Sequence, residues 1–208
     1  IAEIGNNHNG SVELAKQMVD QAVWADADCA KFQMRHIKEL YQNQGNPDDP
    51  SEDLGSQYIL DLLSRSQLTV DEMFEVFDYC YEKNILPLCT PWDMTSVEAL
   101  EKYGVEGYKI ASADLTNHDL IRKIAKTGKP MILSTGMSAE KEIVESVHLL
   151  KKLGTPYILL NCNSTYPAPF KDVNLQYLDR LKEIGNCPVG HSGHERGIAV
   201  TLAAVGLG

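Results

Sequence analysis

The chain has 208 residues, of which 43% are hydrophobic and 23% are charged, and its formal net charge is −10. This composition is typical of a globular domain and excludes collagen-like, low-complexity and fully disordered chains. No apolar run approaches the ~18 residues of a membrane-spanning helix, and the acidic balance argues against a nucleic-acid binder with a basic face. An anionic ligand would need a local cluster of Lys, Arg, metal or backbone N–H groups.

Seven short apolar runs recur along the chain and are predicted to be strands. They cover residues 1–5, 29–34, 85–90, 107–111, 130–135, 157–162 and 187–191. Most are apolar at successive rather than alternating positions, which is typical of parallel strands that are buried on both faces.

Segments with apolar residues at helical spacing follow these strands. In the first, Leu14, Met18 and Ala22 share one face, and Ser11 is suited to cap the helix. Further helices are predicted over 71–83, 95–103, 118–127, 139–153, 175–184 and 197–205. Seven strand–helix units predict a parallel α/β fold, which could be a closed (β/α)8 barrel or an open doubly wound sheet.

The length of the chain bears on the barrel interpretation. A complete (β/α)8 barrel takes about 250 residues, whereas this chain has seven units in 208 residues. We therefore predict one catalytic barrel domain over 1–208. We expect this domain to end before strand eight and to be part of a longer protein. Residues 41–70 interrupt the regular alternation with a long excursion, which we interpret as either a lid or a surface insertion.

Cysteine usage and the start of the chain give an expectation for the cell compartment. The five cysteines are widely spaced and match neither a disulfide framework nor a zinc signature, so we expect them to be structural. The chain does not open with a basic segment followed by an apolar one, so no signal peptide is visible and a cytoplasmic location is expected.

Reactive side chains stand at or near the carboxyl end of nearly every predicted strand. In a (β/α)8 barrel these ends form the catalytic mouth. A single Ser or Thr there is more often a helix cap than a ligand, so the interpretation depends on the whole set. The set is Glu3, Lys31, Gln33, Thr90, Lys109, Ser112, Asp114, Ser134, Asn161, Ser164, Tyr166, Ser192 and His194.

Two lysines in this set lie inside apolar strand sequence. An unpaired buried ammonium group is costly, so Lys31 and Lys109 should each either pair with a carboxylate such as Glu3 or Asp114, or bind an anion. Lysine is a common point-charge ligand of phosphate. Two such lysines on different strands, with hydroxyl groups nearby, favour a phosphate or carboxylate ligand.

Two histidines near the last predicted strand form a His-x-x-His pattern. His191 and His194 could be metal ligands, although this spacing alone is weak support. We predict that at least one of them binds a metal. His8, between asparagines in a predicted turn, is the next candidate.

Six motifs together are similar to those of the sialic acid synthase family. They are AEIGNNHNG at 2–10, KFQ at 31–33, YKIAS at 108–112, LSTGM at 133–137, NCNSTYP at 161–167 and GHSGH at 190–194. The set covers essentially the whole chain in order and is far more specific than any single motif.

This resemblance implies a (β/α)8 TIM barrel that condenses phosphoenolpyruvate with an N-acyl hexosamine, typically N-acetylmannosamine. The product would be a nine-carbon 2-keto sugar acid, released with phosphate. The resemblance also implies a divalent metal, usually Mn²⁺ with Mg²⁺ or Co²⁺ as alternatives, and a homodimer in the full-length protein. Nucleic acid and membrane partners are not expected.

Residue roles follow from the same resemblance. Lys31, Thr90, Lys109, Ser112 and Ser134 match positions that bind phosphoenolpyruvate, Gln33 and Tyr166 match positions near the acceptor sugar or the phosphate, and His194 matches one of two metal-binding histidines. Glu3 matches a carboxylate that assists proton movement, so we expect Glu3, Lys31, Lys109 and Asp114 to act in catalysis. We expect Asn161, Ser164 and Ser192 to contact substrate.

The chain departs from the family pattern at two of these positions. Asp114 stands where family members often have Glu, and Ser164 stands where some have Asn. The second metal-binding histidine and the small C-terminal antifreeze-like domain of the family would lie beyond residue 208.

Other functions stay open at this point. Within the family, the acceptor could be N-acetylmannosamine 6-phosphate, giving the 9-phosphate product, or a diacetamido sugar leading to legionaminate or pseudaminate. A metal-dependent barrel hydrolase or aldolase is a second enzyme hypothesis, which the paired lysines disfavour. An inactive fragment that only binds ligand is the alternative of another class.

Overall fold

The computed structural model describes residues 1–40 and 63–208 of the chain. The excursion predicted over 41–70 therefore lies largely outside the described residues. The chain divides into two compact units, Ile1–Val105 and Glu106–Gly208.

The described residues of unit 1 contain parallel strands that are joined by helices. The strands are β1 (Ala2–Gly5), β2 (Cys29–Met34) and β3 (Leu86–Pro91), and the helices are α1 (Val12–Trp24), α2 (Ile37–Leu40), α3 (Val70–Glu82) and α4 (Met94–Tyr103). Strand β2 lies between β1 and β3. These strands agree with the predicted ones to within one residue at each end.

Local capping explains where the helices of unit 1 begin. The Ser11 hydroxyl accepts the backbone N–H of Leu14 at the start of α1, as predicted. Thr69 and Glu72 form a capping box at the start of α3. Asp93 caps α4 and also accepts the backbone N–H of His36, so one buried carboxylate ties the start of α4 to the end of β2.

Unit 2 contains four parallel strands in sequential order. They are β4 (Tyr108–Ile110), β5 (Met131–Ser134), β6 (Tyr157–Cys162) and β7 (Val189–Ser192), and the helices are α5 (His118–Ala125), α6 (Glu140–Leu153), α7 (Tyr177–Gly185) and α8 (Ala199–Gly206). Short 3-10 helices cover Ser112–Asp114 and Phe170–Asp172.

The strand registers divide the residues of unit 2 between two faces. Lys109 is level with Ile132, Ser134 with Leu160, and Cys162 with Ser192. Because successive side chains of a strand point to opposite faces, Lys109, Ser134, Cys162 and Ser192 share one face. The opposite face carries the buried side chains of Tyr108, Ile110, Met131, Leu133 and Leu159, which form the core of the unit with its helices.

Burial of three of the five cysteines agrees with their predicted structural role. Cys29, Cys80 and Cys89 are buried, Cys162 and Cys187 are half-buried, and all five are free thiols. Burial raises the pKa of Cys29 to about 11 and that of Cys80 and Cys89 to about 12. Within the described residues, none of the helices is both long enough and apolar enough to cross a membrane.

Candidate active site

A buried lysine forms the centre of the polar cluster of unit 2. The side chain of Lys109 comes from β4, and the residue is only 6% exposed. Its Nζ donates to Ser134 Oγ and to the carbonyl oxygen of Ile110, each at 2.7 Å. An ammonium group with a neutral hydroxyl beside it, at the carboxyl end of parallel strands, suits a phosphate or carboxylate ligand.

Ser112 lies directly beyond the end of β4 and links three strand ends. Its Oγ accepts the backbone N–H of Gly136 at 3.1 Å and lies 3.6 Å from Cys162 Sγ. A Cβ atom on Gly136 would lie 2.8 Å from both the carbonyl oxygen of Cys162 and Ser164 Oγ. The close approach of the loop after β5 to the end of β6 therefore requires glycine.

His194 lies on the other side of Cys162 and is held by two hydrogen bonds. Its Nδ1 lies 2.6 Å from the carbonyl oxygen of Asn163, and its Nε2 lies 2.9 Å from the hydroxyl of Tyr166. The two rings also stack, with centroids 4.0 Å apart. Because a carbonyl oxygen can only accept, Nδ1 carries a hydrogen, and Nε2 is the nitrogen that faces the phenol.

The cluster of unit 2 therefore brings together most of the residues predicted there. They are Lys109, Ser112, Ser134, Ser164, Tyr166 and His194, with Ser192 on the same face as Cys162. Sequence reasoning did not select Cys162, Gly136 or Asn163. All three lie in the quoted motifs LSTGM and NCNSTYP, so the motifs contained the signal without showing which atoms are used.

Two predicted residues of unit 2 are placed differently. The side chain of Asn161 points to the face opposite Cys162, where it donates to the carbonyl oxygen of Asn174 at 3.0 Å. This follows from strand alternation, because Asn161 and Cys162 are neighbours on β6. Asp114 lies in the 3-10 helix after β4, where its Oδ1 accepts from Asn117 Nδ2.

Unit 1 collects the other predicted residues on one face of its sheet. Glu3 is level with Lys31, and Gln33 is level with Thr90. Lys31 Nζ forms an ion pair with Glu3 Oε2, so the carboxylate partner considered from sequence is present. Lys31 is 9% exposed and Thr90 is 2% exposed, whereas the side chain of Glu3 is half exposed.

Two further side chains of unit 1 lie near this face or at its edge. Gln33 Oε1 accepts from Arg35 Nη2 at 2.5 Å, and the guanidinium group of Arg35 lies over the ring of Trp92. His8 is buried, its Nδ1 accepts the backbone N–H of Gly10, and burial lowers its pKa. Its Nε2 is buried without a hydrogen-bond partner, so the prediction that His8 could bind a metal stays a prediction.

Comparisons with known proteins identify the family. The model of the NeuB family matches residues 18–208. The chain belongs to the NeuB family.

Named relatives agree with this membership. The chain is 41% identical over its whole length to an uncharacterized protein of Methanocaldococcus jannaschii, covering 58% of that protein. It is 38% identical to the N,N'-diacetyllegionaminic acid synthase of Campylobacter jejuni, again over its whole length, and covers 64% of that enzyme. This NeuB-family chain therefore spans about three fifths of the curated relatives that it matches.

A solved structure supports the fold. The N-acetylneuraminic acid synthetase of Leptospira borgpetersenii, solved with citrate, matches the whole chain with a TM-score of 0.89 and 35% identity, and the match covers 68% of that structure. This confirms the predicted fold class, a (β/α)8 TIM barrel, of which residues 1–40 and 63–208 contain seven strands. The open doubly wound alternative is wrong.

The divalent metal implied at His194 stays a prediction, because the second histidine of the family pattern would lie beyond residue 208. No group of three or more His, Cys, Asp or Glu side chains that could hold an ion occurs in residues 1–40 or 63–208. Both ring nitrogens of His194 are already hydrogen-bonded. Mn²⁺ takes several oxygen or nitrogen ligands. His194 would therefore be one of several ligands of such an ion.

Proposed function

We propose that this chain is part of a synthase that condenses phosphoenolpyruvate with an N-acyl hexosamine to give a nine-carbon 2-keto sugar acid and phosphate. The observation that carries the proposal is the buried Lys109 ammonium group, which lies 2.7 Å from Ser134 Oγ at the carboxyl end of the strands. In a chain of net charge −10, such a site attracts a multiply charged anion only through local groups of this kind.

The reaction can be written so that its atoms balance. C3 of the enol phosphate forms a bond to the aldehyde carbon of the open-chain sugar, whose oxygen takes up a proton. A water molecule adds to C2 and loses one proton, which balances the proton taken up by the former aldehyde oxygen. The bond between C2 and the phosphate oxygen then breaks, and the C2 hydroxyl gives its remaining proton to the departing phosphate as C2 becomes a ketone. The protein must hold a trianionic substrate and supply one proton to the former aldehyde oxygen.

Lys109, Ser134 and Ser112 suit the first task. Lys109 would bind an anionic group of phosphoenolpyruvate, and Ser134 Oγ, which now accepts from Lys109, can turn its own hydrogen to the ligand. The backbone N–H of Gly136 orients the Ser112 hydroxyl. Because these donors are fixed before the substrate arrives, little reorganisation is required when charge develops on the phosphate oxygens.

Tyr166 and His194 suit the second task. The carbonyl of Asn163 keeps a hydrogen on Nδ1 of His194, so proton exchange with the Tyr166 hydroxyl takes place at Nε2. We propose that the Tyr166 hydroxyl gives its hydrogen to the former aldehyde oxygen and takes the proton of Nε2 from a protonated His194. The Tyr166→Phe variant should then lower kcat by about 10²-fold or more with a smaller change in KM, as expected for loss of a general acid.

A phosphate-release assay with a panel of acceptors tests the function. The chain is incubated with a divalent metal, phosphoenolpyruvate and either N-acetylmannosamine, its 6-phosphate or a diacetamido sugar. Release that requires one acceptor supports the synthase and identifies its substrate. Binding of phosphoenolpyruvate without release with any acceptor would instead support a ligand-binding fragment, and absence of both would refute both functions.

The two named synthases that resemble the chain support different acceptors. One is named for a diacetyllegionaminic acid and the other for N-acetylneuraminic acid. N-acetylmannosamine and a diacetamido hexose are therefore the first two acceptors to compare, with pseudaminate-type and 6-phosphate acceptors after them.

A further inference from the structure

Arg35 follows directly after β2, and the sequence motifs do not select it. Its Nη2 donates to Gln33 Oε1 at 2.5 Å, and its Cζ lies 4.5 Å from the centre of the Trp92 ring. The backbone N–H of Trp92 donates to the carbonyl oxygen of Met34 at 3.1 Å, which fixes Trp92 beside the end of β2. The guanidinium group is therefore held between an aromatic ring and the amide of a residue that is predicted to contact the acceptor.

The hydrogen bond from Arg35 decides which way the Gln33 amide is turned. A guanidinium group can only donate, so the atom of Gln33 that faces it is the carbonyl oxygen Oε1. Nε2, which carries two hydrogens, therefore points away from Arg35. The terminal torsion of a glutamine is broad and roughly two-fold, so without this bond the amide could turn over and present an acceptor where it now presents a donor.

The Gln33 donor and a carboxylate oxygen of Glu3 face the same point. A Cβ atom on Gly5 would lie 3.4 Å from Gln33 Nε2 and 3.1 Å from Glu3 Oε1. The other oxygen of the carboxylate, Oε2, forms the ion pair with Lys31. A neutral group that both donates and accepts a hydrogen bond matches this pair of atoms, as a hydroxyl or a secondary amide does, whereas a phosphate would meet the negative charge of Glu3.

We propose that Arg35 is a positioning residue for the acceptor sugar: it holds the Gln33 amide so that Nε2, beside Glu3 Oε1, binds a neutral hydroxyl or acyl amide group of the acceptor. This inference rests on the proposed synthase function, because that reaction supplies the sugar. A guanidinium group suits the task, since it is planar, stays charged and stacks on an aromatic ring. Arg35 acts through Gln33 and not as a ligand of the sugar.

NMR spectroscopy measures the orientation of the amide in the absence of any substrate. The full chain is labelled with ¹⁵N-glutamine, and the Gln33→Leu variant identifies the side-chain signals of Gln33. We expect a nuclear Overhauser effect (NOE) between the Nε2 hydrogens and the α hydrogens of Gly5 in wild type, because these groups are adjacent. Arg35→Met should remove most of its intensity, and Arg35→Lys, which lacks the planar group, should weaken it. Arg122→Met, which removes a half-exposed guanidinium group, should leave it unchanged.

The phosphate-release assay then separates a role in acceptor binding from a role in folding. Arg35→Met should raise the KM for the acceptor by about tenfold, as expected for the loss of one hydrogen bond, and should leave the KM for phosphoenolpyruvate within about twofold of wild type. Gln33→Leu should raise the KM for the acceptor by a similar factor. Adding Arg35→Met to Gln33→Leu should change that KM by less than about twofold, because no amide is left to position.

Far-UV circular dichroism and thermal melting show whether each variant folds, and Arg35→Lys decides the result if Arg35→Met does not fold. Three outcomes overturn the proposal: no such NOE in wild type, an NOE of full intensity in the folded Arg35 variant, or equal increases in the KM for both substrates. If wild type shows the expected NOE but releases no phosphate with any acceptor, the synthase function and the acceptor role are refuted, whereas the positioning of Gln33 by Arg35 is supported.

Discussion

Replacing Lys109 by Met tests the centre of the proposed anion site. The substitution keeps the length of the side chain and removes its charge and donors. A hydrogen bond to a charged group contributes about 1.5–3 kcal/mol, which corresponds to a 10- to 160-fold weaker Kd for phosphoenolpyruvate. The upper part of this range is expected, because Lys109 is 6% exposed and water cannot easily replace it.

The effect on folding should be small compared with the effect on binding. The Met variant leaves Ser134 Oγ and the carbonyl oxygen of Ile110 without the Lys109 donor, but it also removes the cost of burying an ammonium group. These terms oppose each other, so we expect the free energy of unfolding to change by no more than about 1–2 kcal/mol. Urea denaturation measures this change.

Isothermal titration calorimetry with phosphoenolpyruvate is the assay, and Lys141→Met is the matched control. The side chain of Lys141 is 86% exposed, and its loss makes the same change in net charge. If folded Lys109→Met binds within twofold of wild type, the assignment of Lys109 to the anion site is wrong. If Lys141→Met loses as much affinity, general charge rather than a local contact explains the binding.

Three other predictions concern stability and thiol chemistry. Gly136→Ala should lower the free energy of unfolding by about 1–3 kcal/mol, because the new Cβ would lie 2.8 Å from the carbonyl oxygen of Cys162. Gly206→Ala is the control, since a Cβ there meets open space and should leave the free energy of unfolding unchanged. Equal urea midpoints for the two variants would contradict this reasoning. Asp93→Ala should lower the free energy of unfolding by about 1–3 kcal/mol, because the carboxylate accepts two backbone N–H groups. A melting temperature equal to that of wild type would show that these bonds are not needed. Iodoacetamide at pH 8 should label Cys162 of the native protein before Cys29, Cys80 and Cys89. The reason is that burial raises the pKa of those three thiols to about 11–12. Peptide mapping that finds one of the three labelled first would refute this order.

Much of the fold could be predicted because each strand is a short apolar run and each helix has a periodic apolar face. The run at 157–162 and the strand Tyr157–Cys162 coincide. What the run could not reveal is which residues point to which face, because a continuously apolar strand has no alternation to read. The sequence therefore predicts Asn161 in the same set as Lys109, whereas the structure places its side chain on the opposite face.

The site was predictable as a set of residues but not as a set of bonds. The two lysines were identified because charge within an apolar strand requires a partner, yet the sequence could not decide between a carboxylate and an external anion. The structure provides Glu3 for Lys31, and it places the Ser134 hydroxyl and the Ile110 carbonyl among the partners of Lys109. This difference depends on register between strands far apart in sequence, which local patterns do not encode.

The hydrogen bond from His194 Nδ1 is accepted by a main-chain carbonyl, so it does not depend directly on which side chain stands at position 163. The side chain of Asn163 is engaged elsewhere, with the carbonyl oxygen of Asp172 and the backbone N–H of Thr165. Any residue that keeps the local backbone path at 163 would offer the same carbonyl to the imidazole. The hydrogen on His194 Nδ1 should thus be retained when the side chain at 163 is replaced. A substitution that changes the backbone path at 163 would disturb this hydrogen bond more than one that changes only the side chain.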